Sequence, residues 1–176
     1  MSASLKPLTV DEFLARERAQ EFRYEFDGIQ PVAMTGGRFN HARTITRLTT
    51  ALGMRLRPTC EALGSELKVL RLSRVRYPDA SVVCQAPETD DDTVEPTIVF
   101  EVLSPSTALT DRRVKAAEYG AVPSIMAYVM LETGLPEVTV RCRSNAWEVE
   151  TFEGLDAVLP LPEIGVTIPL AAVYAR

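Results

Sequence analysis

Two carboxylates draw attention because of the residues around them. Glu101 is the only ionisable group in the apolar run Ile98-Val99-Phe100-Glu101-Val102-Leu103, and Pro78-Asp79 opens a second β-rich run from Tyr77 to Cys84. A carboxylate buried without a partner costs on the order of several kcal/mol, so it needs a proton, a cation or hydrogen-bond donors. Two such groups on neighbouring strands repel each other unless a divalent cation lies between them. All-oxygen ligation of this kind suits Mg²⁺ or Mn²⁺, with water completing an octahedron. A cation held in that way activates a water and stabilises charge developing on a phosphoryl group. The plain alternative pairs Glu101 with an arginine at the sheet edge and leaves Asp79 to cap a turn. Either acid alone favours the plain alternative; the pair, followed by a basic helix, favours the cation.

Local patterns suggest the elements that must position these acids. Thr9 and Glu12 form a capping-box pair for a short helix through about Gln20, with Phe13 and Leu14 inward. Arg23 to Phe26 and Pro31 to Met34 alternate around Asp27-Gly28, a hairpin signal. Thr35-Gly36-Gly37 breaks the chain, and Asn40 is the expected cap of the next helix. There Ile45, Leu48, Leu52 and Leu56 make one apolar stripe, and Pro58 ends it. Period two then predicts strands over Glu66 to Leu72, Tyr77 to Cys84 and Thr97 to Leu103, with an acidic loop from Gln85 to Glu95. Asp79, Ser81 and Val83 share a face of the second of these.

Thr110-Asp111 is expected to cap a helix through about Gly120, with Val114, Ala117 and Tyr119 inward. Ser124 to Leu131 reads as a strand buried on both faces. Short strands are expected near Glu137 to Cys142, Trp147 to Phe152 and Ala157 to Leu159, before a closing segment from Val166 to Tyr174. The order predicts an α/β fold, a central mixed sheet flanked by helices with an additional β-rich C-terminal segment. Residues 1–176 are expected to form a single domain. Trp147 and Phe152 serve either a homodimer face or the core.

Composition limits the function classes. Hydrophobic residues at 46% and charged residues at 24% exclude a disordered chain. No apolar run approaches a membrane span and Met1 to Pro7 has no signal-peptide core, which predicts a cytoplasmic protein with no membrane partner. Cys60, Cys84 and Cys142 are widely spaced, which predicts reduced, mostly buried thiols. One histidine makes a zinc cluster a poor expectation. The net charge of −5 argues against strong general affinity for DNA. The charge is segregated, however, with acids near Glu88 to Asp92 and bases at Arg38 to Arg57, Arg71 to Arg76 and Arg112 to Lys115.

Tyr77-Pro78-Asp79, then Phe100-Glu101-Val102-Leu103-Ser104-Pro105-Ser106-Thr107, then Asp111, Lys115 and Tyr119 resemble the Uma-type family of putative restriction endonucleases, in the PD-(D/E)XK nuclease superfamily. Arg23-Tyr24-Glu25 with Asp27-Gly28, Met34 to Gly37 before His41, and Gly64 to Val69 extend the resemblance from about Thr9 to Tyr174. The family pattern has Asp at the Glu66 position, and Arg-Glu where Met126-Ala127 stands before Tyr128.

The resemblance implies a restriction-endonuclease-like domain that hydrolyses DNA with Mg²⁺ or Mn²⁺ and leaves 5′-phosphates. Asp79 and Glu101 would be the metal ligands. The superfamily usually places a lysine two residues after the acid, where this chain has Leu103. Lys115, one turn into the following helix, is then the catalytic candidate, with Lys68 second. Glu25 is expected to reach the metal or to pair with an arginine. His41 is expected to contact a phosphate or a metal-bound water, or to serve as a cap. Arg43, Arg47, Arg112 and Arg113 are candidate DNA-backbone contacts. Ser104, Ser106 and Thr107 either position the loop or a phosphate, or form a turn and cap. Two further readings stand beside the nuclease: a non-catalytic nucleic-acid-binding or regulatory module on the same scaffold, and an assembly or toxin-type partner protein with structural carboxylates.

Overall fold

The computed structural model describes residues 8–34, 37–71, 73–87, 92–104 and 108–175. Ser106, Thr107 and most of the acidic run from Glu88 to Asp92 lie outside them. Helix α1 (Val10–Glu17) begins at a complete capping box: the Thr9 side chain accepts from the Glu12 amide, and the Glu12 carboxylate accepts from the Thr9 amide at 2.8 Å. Strands β1 (Tyr24–Phe26) and β2 (Pro31–Ala33) form the expected hairpin. Asp27 Oδ1 accepts the Ile29 and Gln30 amides, both at 2.8 Å, and Gly28 supplies a φ of 90°.

Helix α2 (Phe39–Gly53) buries Leu48 and Leu52 from its apolar stripe. Its N-cap is Arg38, without a side-chain cap bond, so Asn40 lies within the first turn and is not the cap. Strands β3 (Glu61–Leu63), β4 (Val69–Arg71), β5 (Arg74–Arg76), β6 (Ala80–Val83) and β7 (Ile98–Leu103) follow. Next come α3 (Ala108–Thr110), a π-helical turn (Asp111–Lys115) and α4 (Ala116–Gly120). The remaining elements are β8 (Ala127–Glu132), β9 (Glu137–Cys142), β10 (Val149–Glu153), β11 (Val158–Leu161), β12 (Val166–Pro169) and α5 (Leu170–Tyr174).

Six strands make the central sheet in the order β10-β9-β8-β7-β6-β3. It is mixed, because β7 and β8 are parallel while their other neighbours are antiparallel. Parallel neighbours need a crossover, and the α3–π–α4 segment is that crossover. Ile98, Phe100 and Val102 enter the larger core, shared with Leu48, Leu52, the β11–β12 pair and α5. Val99 and Leu103 turn to the other face, against Ala116, Tyr119 and Ile125. A fully buried Leu, Ile or Phe contributes roughly 1.5–3 kcal/mol, so these two layers fix the sheet between its helices. A second sheet, β2-β1-β5-β4, carries a smaller core of Phe13, Phe26, Val75 and Tyr77 under α1. Trp147 and Phe152 pack against the two main cores.

Beyond the Asn40 cap, further expectations are overturned: the crossover begins at Ala108, so Thr110 lies inside it in helical conformation and makes no side-chain cap bond. Val114 and Ala117 point outward, whereas Tyr119 points inward as expected, together with Asp111, Lys115 and Ala116. The inward face of the crossover mixes charged Asp111 and Lys115 with Ala116 and Tyr119, so apolarity is only a partial guide to it. The cysteines are not all reduced: Cys60 and Cys84 form a disulfide, with Cα atoms 3.9 Å apart, and Cys142 is free. The reason is register. Glu61 faces Val83 across β3 and β6, and one step further Cys60 faces Cys84. Among the described residues, no helix is long and apolar enough to cross a membrane.

Candidate active site

Ala80 faces Phe100 in the β6–β7 pair, and one step beyond β6 the same register sets Asp79 beside Glu101. The Val102 amide donates to Asp79 Oδ2 at 2.7 Å, which ties the aspartate to the strand that carries Glu101. Alternation along β7 turns Glu101 to the same face as Val99 and Leu103, toward the crossover. Leu103 is therefore correctly aimed but apolar, and the lysine arrives from the crossover instead.

Asp111, Lys115 and Tyr119 recur every four residues and so share one helix face. Lys115 Nζ lies 2.9 Å from Glu101 Oε1, and the Tyr119 hydroxyl donates to that same oxygen at 3.0 Å. Lys115 also lies 3.1 Å from Glu25 Oε1 and 3.4 Å from Asp111 Oδ1. The π turn that carries Asp111 and Lys115 is a form found mostly as single-turn bulges within α-helices, frequently at functional sites. Glu101 thus pairs with a lysine, and the arginine is one step removed. Arg76 Nη1 donates to Glu25 Oε2 at 3.0 Å, and the Tyr77 amide donates to Glu25 Oε1 at 3.3 Å. Arg76 is itself clamped by Glu118, at 2.7 Å through Nε and 3.0 Å through Nη2, and Arg74 bonds to the same carboxylate.

His41 Nε2 lies 3.3 Å from Asp79 Oδ2. A side chain at Gly37 would meet His41 Nδ1 at 2.8 Å, so glycine there is what lets the ring take this position. His41 and Asp79 side chains retain 19% exposure each, against 5% for Glu101 and 9% for Lys115. Solvent therefore reaches the centre from the Asp79–His41 side.

Electrostatics define what the centre lacks. Burial pushes the Glu101 carboxyl up to about 8; Lys115 opposes this, while Asp79, Asp111 and Glu25 add to it. Burial disfavours the Lys115 ammonium, but Glu101, Glu25 and Asp111 outweigh it and hold the group above the ordinary lysine range. The bond to Asp79 raises the His41 pKa against the opposing effect of burial. Glu25, Glu101 and Asp111 thus surround Lys115, Asp79 faces His41, and burial with the neighbouring acids disfavours the ionised form of Glu101.

The structure brings Glu25, His41, Asp79, Glu101 and Lys115 together. It places Lys68 elsewhere, buried 3.1 Å from Glu17 Oε2 and 2.7 Å from Asp92 Oδ2, with the Tyr77 hydroxyl donating to Glu17 at 2.7 Å. Arg47 bonds to the Val173 and Ala175 carbonyls, which holds α5 against α2. Arg112 pairs with Glu132, Arg43 lies over the Phe39 ring, and Arg113 is exposed. Ser104 follows directly on β7, where its carbonyl accepts the Ala108 amide at 2.9 Å. Sequence reasoning missed Asp111, Tyr119, Arg76 and Glu118 as site residues. The four-residue spacing of Asp111, Lys115 and Tyr119 was a usable signal; nothing local announces Arg76 or Glu118.

The donor set can be weighed against a divalent cation. Among the described residues, no group of three or more His, Cys, Asp or Glu side chains forms a ready metal cage. Mg²⁺ does not require one, since it keeps several waters and uses one or two carboxylates plus substrate phosphate. Asp79 and Glu101 supply two adjacent carboxylates near the open side, each with one oxygen outside the bonds described above. A cation would favour the ionised Glu101 that burial disfavours, so these residues fit Mg²⁺ or Mn²⁺.

Comparison with known proteins agrees with this architecture. A crystal structure of a putative nuclease belonging to DUF820 from Anabaena variabilis superposes with a TM-score of 0.77, covering 96% of this chain and 98% of that one at 19% identity. The likeness shows the fold, a mixed sheet flanked by helices as in that nuclease-like protein. Two uncharacterised proteins of Synechocystis sp. are also similar. One is 29% identical over 180 residues, covering 98% of this chain and 94% of the relative. The other is 26% identical over 137 residues, covering 74% and 77%. The family model described as Uma2, putative restriction endonuclease, matches residues 10–171, which takes in every residue of the acidic centre, and the chain belongs to that family.

Proposed function

We propose that the protein is a Mg²⁺-dependent endonuclease that hydrolyses phosphodiester bonds in DNA, with Mn²⁺ able to substitute. The observation that supports it most is the convergence of Asp79, Glu101 and Lys115, from separate parts of the chain, at a carboxyl whose ionised form a cation would favour. Asp79 and Glu101 would hold the cation, which when bound polarises a phosphoryl oxygen and lowers the pKa of a water. Lys115 keeps its proton among the carboxylates, so its part is to donate: it orients the attacking water or stabilises developing negative charge. His41, at the open side, is placed to meet a phosphate oxygen. Arg43 and Arg113 are the candidates for DNA-backbone contact; Arg47 and Arg112 are already engaged within the fold. The proposed setting is the cytoplasm, and the proposed assembly a homodimer, which sedimentation tests.

The direct test is cleavage of supercoiled, linear and single-stranded DNA with and without Mg²⁺ or Mn²⁺, comparing wild type with Asp79→Ala and Glu101→Ala. Ion-dependent cleavage that vanishes in both variants supports the nuclease, and products carrying 5′-phosphates support its place in the superfamily. Absence of cleavage with either ion, and of cation binding by calorimetry, overturns it. That result would favour the second reading, a non-catalytic nucleic-acid-binding or regulatory module. The internal engagement of Arg47, Arg74, Arg76 and Arg112, together with the net charge of −5, favours the regulatory form of that reading over nucleic-acid binding.

A further inference from the structure

Glu25 occupies an unusual position for an acid beside a proposed cation site. Its Oε2 accepts from Arg76 Nη1 at 3.0 Å, and its Oε1 accepts from the Tyr77 amide at 3.3 Å and faces Lys115 Nζ at 3.1 Å. A carboxylate offers about four acceptor positions, and most of these are taken. Glu25 is therefore poorly suited to ligate a cation and well suited to hold an ammonium. Its support is rigid. Arg76, 5% exposed, is fixed in a two-point grip by Glu118, whose carboxylate also takes Arg74. Glu101, by contrast, gives one oxygen both to Lys115 and to Tyr119.

We propose that Glu25 is a positioning residue that gives Lys115 a second seat, so that the ammonium stays in the site when a divalent cation takes over the carboxylate of Glu101. The proposal rests on the cation-site reading above and assigns Glu25 to the lysine. Without Glu25, a cation at Glu101 would have to displace the ammonium from its main partner, leaving it only Asp111. With Glu25, the ammonium gives up one contact of 2.9 Å and keeps another of 3.1 Å. The Arg76–Glu118 grip matters because a mobile Glu25 would follow the lysine instead of anchoring it.

The test is Mn²⁺ binding by calorimetry on the full chain, which needs no turnover, with Glu25→Gln, Glu25→Asp and thermal melts of each. Glu25→Gln removes the charge at constant shape, and Glu25→Asp keeps the charge but withdraws it from Lys115 by one methylene. A seat predicts that both variants lose Mn²⁺ affinity by about tenfold, as outer-shell partners of metal sites typically do. A purely through-space effect of negative charge predicts that Glu25→Asp binds like wild type, and that result overturns the proposal. A second cycle in a Lys115→Gln background checks the same point. If the seat operates, Glu25→Gln has little further effect once the ammonium is gone; an equal loss in both backgrounds overturns it. Failure of wild type to bind Mn²⁺ overturns the seat and the cation site together. Binding without cleavage of any DNA overturns the nuclease alone and leaves the seat to be judged by the cycle.

Discussion

Lys115 Nζ lies 2.9 Å from Glu101 Oε1, a contact between two buried side chains 14 residues apart in the chain. The lysine here meets the acid from a helix and not from the acid's own strand. Strand geometry gives one reason this works. Leu103 faces the same side as Glu101 and packs with Ala116 and Tyr119, so it secures the crossover that delivers the ammonium.

Replacing Lys115 tests both of its roles. Lys115→Met leaves Glu25, Glu101 and Asp111 around a missing cation. Breaking a buried pair in this way costs about 3–5 kcal/mol, so the melting temperature should fall in metal-free buffer. Mg²⁺ should recover part of that loss by binding the folded state. The catalytic expectation is a kcat at least ~100-fold lower in single-turnover DNA cleavage. A variant with wild-type kcat would remove Lys115 from the mechanism.

Lys68 provides the contrast. It belongs to a separate buried cluster with Glu17, Asp92 and Tyr77. Lys68→Met should lower the melting temperature by on the order of 10 °C, because Glu17 loses its buried counter-charge. Its kcat per folded molecule should match wild type. A kcat loss without destabilisation would return Lys68 to the list of catalytic candidates.

The guanidinium of Arg76 links two acids, and its fork geometry is the reason. Arg76→Lys keeps the charge but cannot grip Glu118 at two points while also reaching Glu25. The expected result is a fall of about tenfold in kcat with KM little changed, since nothing that touches DNA is altered. A change confined to KM would instead place Arg76 in substrate binding.

Much of this arrangement was legible where the signal is local. The Thr9–Glu12 capping box, the Asp27–Gly28 hairpin and the strand around Glu101 each announce themselves within a few residues, because periodicity and turn chemistry are short-range. Strands β3 and β5, three residues each, carry too little pattern to detect. The crossover misled for a different reason. Its inward face carries Asp111 and Lys115 beside Ala116 and Tyr119, so apolarity points to Tyr119 correctly and to Val114 and Ala117 wrongly. The disulfide and the Arg76–Glu118 grip depend on which strands and helices become neighbours, and spacing along the chain does not encode that.

Thiol chemistry gives an independent check of the register. With Cys60 and Cys84 paired, thiol titration of the unfolded protein should find one thiol without reductant and three with it. In the native protein Cys142 should react slowly at pH 8, because burial, with Glu163 adding, pushes its pKa up to about 12. Reductant should cost about 3 kcal/mol of stability through the lost loop constraint. Three thiols in the protein as isolated without reductant would contradict the pairing.

The parallel pairing of β7 with β8 has a consequence for when the chemistry becomes available. Its crossover carries Asp111, Lys115 and Tyr119, and it can dock only after β8 has paired beside β7. Glu25 arrives from the hairpin of the smaller sheet and Asp79 from the residue just before β6. A nascent or partly folded chain therefore exposes isolated acids but no assembled centre. Assembly of the centre is thus tied to pairing of β8 beside β7, and a chain that has not yet reached Glu132 holds only its separate parts.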